Sequence, residues 1–181
     1  MAATAENHAM EGKGSGRHVM LALDESKYAE DVLRFCAENF AKIKGNKITF
    51  LYVYEYTPMT LLPGPGFVPA GQNVEDLNED IRKHAIDKGT KILKHLGKKA
   101  QVLGFKPDDM KLLVGAPASN VKRAIVDYTK TEKADVLLCG SRGMGAVGRV
   151  FLGSVSDYLV HNCDCSVVIV KHPKEEPKSG T

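Results

Sequence analysis

The chain has 181 residues, of which 43% are hydrophobic and 26% are charged, and its formal net charge is +3 at pH 7. This length accommodates one ordinary domain with a well-buried core. The small positive charge falls well short of the basic surface of a nucleic-acid-binding protein, so nucleic acid is not an expected partner.

The first elements in chain order predict alternating strands and helices. Residues 1–16 are polar and lack periodicity, so we expect a disordered tail before a domain at residues 17–171. An apolar run at 19–23 predicts a strand. Apolar residues at helical spacing over residues 29–40 predict a helix with Ser26 as its N-cap. A second strand follows at 48–53, and a second helix occupies much of 74–103.

Between that second strand and helix, residues 56–73 are rich in proline and glycine and predict an irregular loop. The apolar side chains of Leu61, Leu62 and Phe67 would let this loop fold over a ligand. It is equally consistent with a mobile connecting loop that has no role in binding.

The second half of the chain continues the alternation. Strands are predicted at 112–114, 136–139 and 167–170, with a helix opened by Pro117 and another following Gly153. The strand runs are nearly continuous in Val, Ile and Leu, which is typical of a parallel sheet covered on both faces. We therefore predict a doubly wound α/β fold, followed by a disordered tail at 172–181.

A glycine-rich segment from Gly140 to Gly148 directly follows the fourth strand, and Gly153 and Ser154 open the next helix. Glycine permits close backbone approach, and a helix N-terminus adds partial positive charge. The segment therefore predicts a phosphate cradle.

Two familiar nucleotide motifs do not apply to this segment. Residues 143–148 match G-x-G-x-x-G, yet they follow the fourth strand, and the last strand leads into Lys171 rather than an acidic residue. This argues against nicotinamide cofactors. The Walker pattern is absent, so rapid hydrolysis is not expected.

The cysteines and histidines show no spacing typical of a disulfide framework, a metal site or a catalytic site. The four cysteines are too irregularly spaced for a secreted disulfide framework and are expected to be reduced thiols. His161, Cys163 and Cys165 lack a second ligand pair at zinc-site spacing, and the histidines are scattered. We expect no metal site and no catalytic group.

Gly140, Gly143 and the pair Gly153-Ser154 fit the spacing G-2x-G-9x-G-[ST], and residues 19–26 and 114–117 resemble a first strand and a third-strand turn of the same family. Over about residues 18–171 the chain resembles the ATP-binding universal stress proteins. The resemblance implies an adenine nucleotide alpha hydrolase-like fold with strand order 3-2-1-4-5, in which strands 1 and 4 flank the binding crevice.

The resemblance also implies roles for individual residues. Asp24 would contact the ribose, although capping the first helix is an alternative role for it. Val53 would bind adenine through its backbone, with Ala22 and Leu23 lining the base pocket, and Gly115 is a weaker candidate. The positions expected around ribose and phosphates are Gly140, Ser141, Arg142, Gly143, Gly153, Ser154, Val155 and Ser156.

The function implied is a cytoplasmic module that binds ATP or AMP with Mg²⁺ and signals to a protein partner during stress. The absence of a long apolar run and of a signal peptide in residues 1–9 agrees with that location and with no membrane association. Homodimerisation through the last strand is also implied. Slow ATP hydrolysis or phosphoryl transfer at the same site, and a nucleotide-independent adaptor, are the alternatives.

Overall fold

The computed structural model describes residues 16–55, 73–115, 121–141 and 152–172. Strands and helices alternate within these ranges. In chain order they are β1 (His18–Leu23), α1 (Ala29–Asn39), β2 (Lys47–Glu55), α2 (Val74–Val102), β3 (Asp109–Gly115), α3 (Val121–Thr131), β4 (Val136–Gly140), α4 (Ser154–Asn162) and β5 (Ser166–Val170). The predicted alternation is confirmed. Pro117 and nearly all of the predicted loop at 56–73 lie outside the described residues.

The five strands form one parallel sheet in the order β3-β2-β1-β4-β5. The chain winds outward from β1 to β3 and then crosses back to β4, so the winding reverses between β1 and β4. This confirms the doubly wound fold and places the topological switch point where the phosphate cradle was predicted.

Each face of the sheet carries its own hydrophobic core. Right-handed crossovers place α1 and α2 on one face and α3 and α4 on the other. The first core joins β-strand residues such as Leu21, Phe50 and Leu138 to α1 and α2. The second joins residues such as Met20, Leu51 and Leu137 to Ile125 of α3 and Leu159 of α4. The sheet is therefore covered on both sides, as its apolar strands predict.

Helix α2 is the longest element described, and its fully buried residues lie in its second half. The N-cap of α2 is Asn73, whose side chain accepts a hydrogen bond from Asp76 N at 2.7 Å. Its buried residues all lie from Gly89 onward and are Gly89, Leu93, Leu96, Gly97 and Ala100. No helix in the described ranges is long and apolar enough to cross a membrane.

The predicted N-cap of the first helix is wrong. Helix α1 begins at Ala29 with Tyr28 at the N-cap position, and no side chain caps it. The backbone closes this end itself, because Ala29 N donates to the Ser26 carbonyl at 3.2 Å. The hydroxyl of Ser26 turns back to Asp24 instead.

Candidate functional site

The carboxyl ends of β1 and β4 bring Asp24 and Ser141 to the same edge of the sheet. Ala22 of β1 pairs with Cys139 of β4 in the parallel register. Asp24 and Ser141 each follow two residues later. The crevice between these strand ends is the place where open α/β sheets bind ligands.

Asp24 stabilises the turn between β1 and α1 and is half-buried. Its Oδ1 atom accepts hydrogen bonds from Ser26 N at 3.0 Å and from Ser26 Oγ at 2.5 Å. Asp24 therefore holds a local turn rather than capping the helix. Both bonds end on Oδ1, so Oδ2 is the oxygen that can accept a further hydrogen bond at this edge.

Hydrogen bonds tie together the two described ends of the glycine-rich segment. Gly153 N donates to the Ser141 carbonyl at 2.9 Å, and Ser141 N donates to the Val170 carbonyl at 2.9 Å. Ser156 is buried, and its hydroxyl donates to the Gly153 carbonyl at 2.9 Å, with the Ser141 carbonyl at 3.4 Å. The start of α4 is thereby fixed against the end of β4.

The N-terminus of α4 lies beside the end of β4, and its first-turn N–H groups have no partner inside the helix. Gly153 is the N-cap without a side-chain hydrogen bond, and the first bond inside the helix runs from Asp157 N to the Gly153 carbonyl at 2.9 Å. The N–H groups of Ser154, Val155 and Ser156 precede that bond, at the positive end of the helix dipole. Such an end binds anions, phosphate among them.

Gly153 provides space rather than an unusual backbone conformation. Its φ of −65° and ψ of 151° are accessible to every residue type. A side chain there would stand at the start of α4, next to the hydrogen bond from Gly153 N to the Ser141 carbonyl. A glycine is therefore not required here by the backbone conformation.

The apolar candidates divide between the two faces of the sheet. Ala22 and Val53 are half-buried and pack against the core covered by α3 and α4. Leu23 is 6% exposed, and its side chain packs in the opposite core, under α1 and α2. Because side chains alternate along a strand, Leu23 reaches the crevice only through its backbone.

Three further candidates lie apart from the crevice or beyond the described ranges. Gly115 ends β3 and pairs with Glu55 of β2, so a whole strand separates it from β1. Arg142 and Gly143 lie outside the described residues. The structure therefore brings together Ala22, Asp24, Val53, Gly140, Ser141, Gly153, Ser154, Val155 and Ser156.

A polar cluster beside Asp24 is not found by sequence reasoning. The buried Tyr52 donates its hydroxyl to Glu25 Oε1 at 2.9 Å, and Lys88 Nζ lies 2.8 Å from the same oxygen. The hydrogen bond from Lys88 lowers the pKa of Glu25, whereas burial, followed by the bond to Glu25, raises the pKa of Tyr52. The cluster anchors the turn after β1 to β2 and α2.

The cysteines are free thiols held by apolar surroundings. Cys36 and Cys139 are buried, and burial raises the pKa of each to about 12. Cys163 and Cys165 are half-buried, and burial again raises their pKa. No group of three side chains in the described ranges could hold a metal ion.

Comparison with known proteins gives a consistent result over most of the chain. A family model described as the universal stress protein family matches residues 16–171. Universal stress protein MJ0531 of Methanocaldococcus jannaschii is 28% identical over 165 residues, covering 91% of this chain and 88% of the relative. Universal stress protein Sll1388 of Synechocystis is 30% identical over 158 residues, covering 85% and 97%.

Solved structures share the fold. Protein MJ0577 has a TM-score of 0.67 at 21% identity and covers 88% of this chain and 99% of its own. An Arabidopsis thaliana protein of the universal stress protein family with AMP bound has a TM-score of 0.58 at 22% identity, covering 90% and 97%. A universal stress protein in complex with cAMP has a TM-score of 0.56 at 20% identity, covering 85% and 96%. The shared architecture is the adenine nucleotide alpha hydrolase-like fold.

Proposed function

The chain belongs to the universal stress protein family, and on that premise we propose that it binds ATP or AMP in the β1/β4 crevice as a nucleotide-dependent module of the stress response. The observation that carries the proposal is the junction of β4 and α4. Hydrogen bonds fix the start of α4 beside Ser141, so its first-turn N–H groups lie beside the strand end next to Asp24.

Each part of an adenine nucleotide has a counterpart in this arrangement. The N–H groups of Ser154, Val155 and Ser156 suit the phosphates. Asp24 Oδ2 suits a ribose hydroxyl, because its partner oxygen already holds Ser26. Ala22 and the backbone of Val53 suit the base.

The remaining elements of the proposal concern the glycine-rich segment and the metal ion. Arg142 and Gly143 complete the phosphate contacts in this account, and their motif spacing is the reason for including them. Mg²⁺ arrives with the nucleotide and is held by the phosphates of ATP, since the described residues present no metal-binding group of three. The AMP and cAMP complexes of related proteins support the class of ligand.

Isothermal titration calorimetry with AMP and with Mg-ATP tests the proposal. Gly153→Val places a side chain at the start of α4 without straining the backbone, and it should abolish binding. Thr131→Val introduces the same side chain at the exposed C-terminal end of α3. This end lies at the amino ends of the strands, away from the crevice, so the variant should bind normally. Circular dichroism melts confirm that both variants are folded.

The outcomes separate binding from catalysis. No heat of binding from the native chain at millimolar nucleotide would leave the nucleotide-independent adaptor as the remaining function. Release of phosphate from ATP is measured on the same preparations. Turnover that survives Gly153→Val would come from a contaminating enzyme, whereas turnover lost together with binding would belong to this site.

The proposal includes self-association through β5. Within the described ranges, this strand lies at the edge of the sheet and pairs with β4 alone. Ser166 N and the Val170 carbonyl both bond toward β4, so the intervening N–H groups of Val167 and Ile169 point to the open edge. An apolar open edge of this kind is a template for pairing with a second copy.

A further inference from the structure

A cavity of about 350 Å³ lies between α1 and α2, on the face of the sheet opposite to α4. This volume is within the range of small-molecule sites in proteins. Its floor is apolar and consists of Ala29, Ile92 and Leu96, of which Ala29 and Leu96 are buried. The floor would contact the non-polar part of a ligand.

Two ion pairs line the cavity and give two of its three acidic residues, Glu25 and Glu30, a lysine partner. Lys88 Nζ lies 2.8 Å from Glu25 Oε1, and Lys99 bonds to Glu30. These lysine hydrogen bonds are the largest influence on the two carboxyl groups and lower the pKa of each. Both glutamates are therefore ionised, and each already has a cationic partner.

Lys91 and His95 line the same cavity between those ion pairs. They are four residues apart on α2, so their side chains lie on one face of the helix. In the described part of the chain, neither side chain makes a hydrogen bond or an ion pair, and His95 contributes only a minor part of the lowering of the Glu30 pKa, after Lys99. Asp24 borders the cavity near β1, where its Oδ1 is held by Ser26, so an anion is favoured on the Lys91 and His95 side.

The backbone of α1 does not supply this site. Ala29 N and Glu30 N already donate to the carbonyls of Ser26 and Lys27, at 3.2 Å and 3.3 Å. Recognition of an anion must therefore come from the side chains of α2.

We propose that this cavity is a second binding site, for a small organic anion whose carboxylate or phosphate is held by Lys91 and His95 and whose apolar body lies on Ala29, Ile92 and Leu96. The site borders the β1/β4 crevice at Asp24, but Lys91 and His95 of α2 lie on the face of the sheet opposite to α4, so we expect the anion to bind without displacing a nucleotide. A charge-assisted hydrogen bond to each basic side chain gives the site its preference for an anion.

Fluorescence titration of the full chain with three naphthalene probes tests this site. The probes are 1-naphthoate, 1-naphthyl phosphate and the neutral 1-naphthalenemethanol, and each is titrated with and without saturating AMP. At least one anionic probe should bind at least about tenfold more tightly than the neutral one. The stronger of the two identifies whether a carboxylate or a phosphate is preferred.

Matched variants locate the binding. Lys91→Gln combined with His95→Gln should weaken the anionic probe about tenfold or more. Lys94→Gln combined with Lys98→Gln changes two exposed residues of α2 that do not line the cavity, and it should leave the affinity unchanged. Urea melts of both double variants check that the fold is retained.

Three results would overturn the inference. One is equal binding of neutral and anionic probes, or no binding of any of them at millimolar concentration. Another is an equal loss of affinity in the two double variants, which would indicate attraction to the lysine-rich surface in general. The third is displacement of the probe by AMP, which would make the cavity part of the nucleotide site. Failure of AMP to bind at all would bear on the proposed function and leave this inference intact.

Discussion

Replacing Ser156 by alanine removes one buried hydroxyl that links the start of α4 to the end of β4. The hydroxyl donates to the Gly153 carbonyl at 2.9 Å, which also accepts from Asp157 N at 2.9 Å. The Ser141 carbonyl, at 3.4 Å from the hydroxyl, also accepts from Gly153 N at 2.9 Å. Neither carbonyl is left without a donor, so the free energy of unfolding should fall by about 1 kcal/mol, the net value of a hydrogen bond.

Urea unfolding measures this loss, and calorimetry with AMP measures its effect on the site. A looser start of α4 should weaken AMP binding by up to about fivefold, the equivalent of about 1 kcal/mol. Thr129→Val is the matched control, since Thr129 is equally buried and its hydroxyl donates to the Val126 carbonyl at 2.8 Å within α3. It should lose similar stability and keep its affinity for AMP.

Three results would contradict this role of the Ser156 hydroxyl. A loss above about 3 kcal/mol would mean that a buried acceptor had been left unpaired, contrary to the two backbone donors. Unchanged stability would mean that the hydroxyl makes no effective bond. Equal weakening of AMP binding by Thr129→Val would show that affinity follows global stability rather than the anchoring of α4.

Three other perturbations test the Tyr52 hydrogen bond, the packing of α2 on the sheet and the open edge at β5. Burial and the Glu25 bond raise the pKa of Tyr52 in the folded state, so its contribution is complete below about pH 10 and is lost as pH rises through the folded pKa. The stability advantage of the native chain over Tyr52→Phe in urea melts should therefore shrink by about 1.4 kcal/mol from pH 8 to pH 11, and a constant difference would contradict it. A Cβ added in Gly89→Ala would lie 2.5 Å from Leu112 Cδ1, so the Leu112 side chain must move, which offsets the gain of about 1 kcal/mol that alanine brings to a helix. The thermal midpoint should therefore rise more when Gly89→Ala is made together with Leu112→Ala than when it is made alone, relative to each parent, and simple additivity would argue against the contact. Sedimentation should show a dimer of the native chain and a monomer of Val167→Pro, and a monomeric native chain would rule out pairing through β5.

The central strands could be predicted from the sequence because both of their faces are buried. The run at 136–139 matches β4 within one residue, and its side chains are buried throughout. The run at 112–114 covers less than half of β3. That strand lies at the edge of the sheet, where Met110 and Val114 are exposed, so its sequence is not continuously apolar.

Several contacts near the site could not be predicted, because they depend on tertiary packing rather than on a local sequence pattern. The serine at position 26 suits an N-cap, but the backbone of α1 closes its own first turn. The contact of Tyr52 and Lys88 with Glu25 joins residues far apart in the chain, as does the cavity between α1 and α2. The phosphate cradle stays a prediction from motif spacing, since residues 142–151 lie outside the described ranges.

Amide chemical shifts of the ¹⁵N-labelled chain during titration with AMP show directly whether the nucleotide binds at the start of α4. We expect saturable shifts of the amides of Ser154, Val155 and Ser156, together with those of Asp24 and Ser141, and small shifts along the second half of α2. Binding that leaves the first turn of α4 unshifted, or no binding at millimolar AMP, would contradict the proposed site.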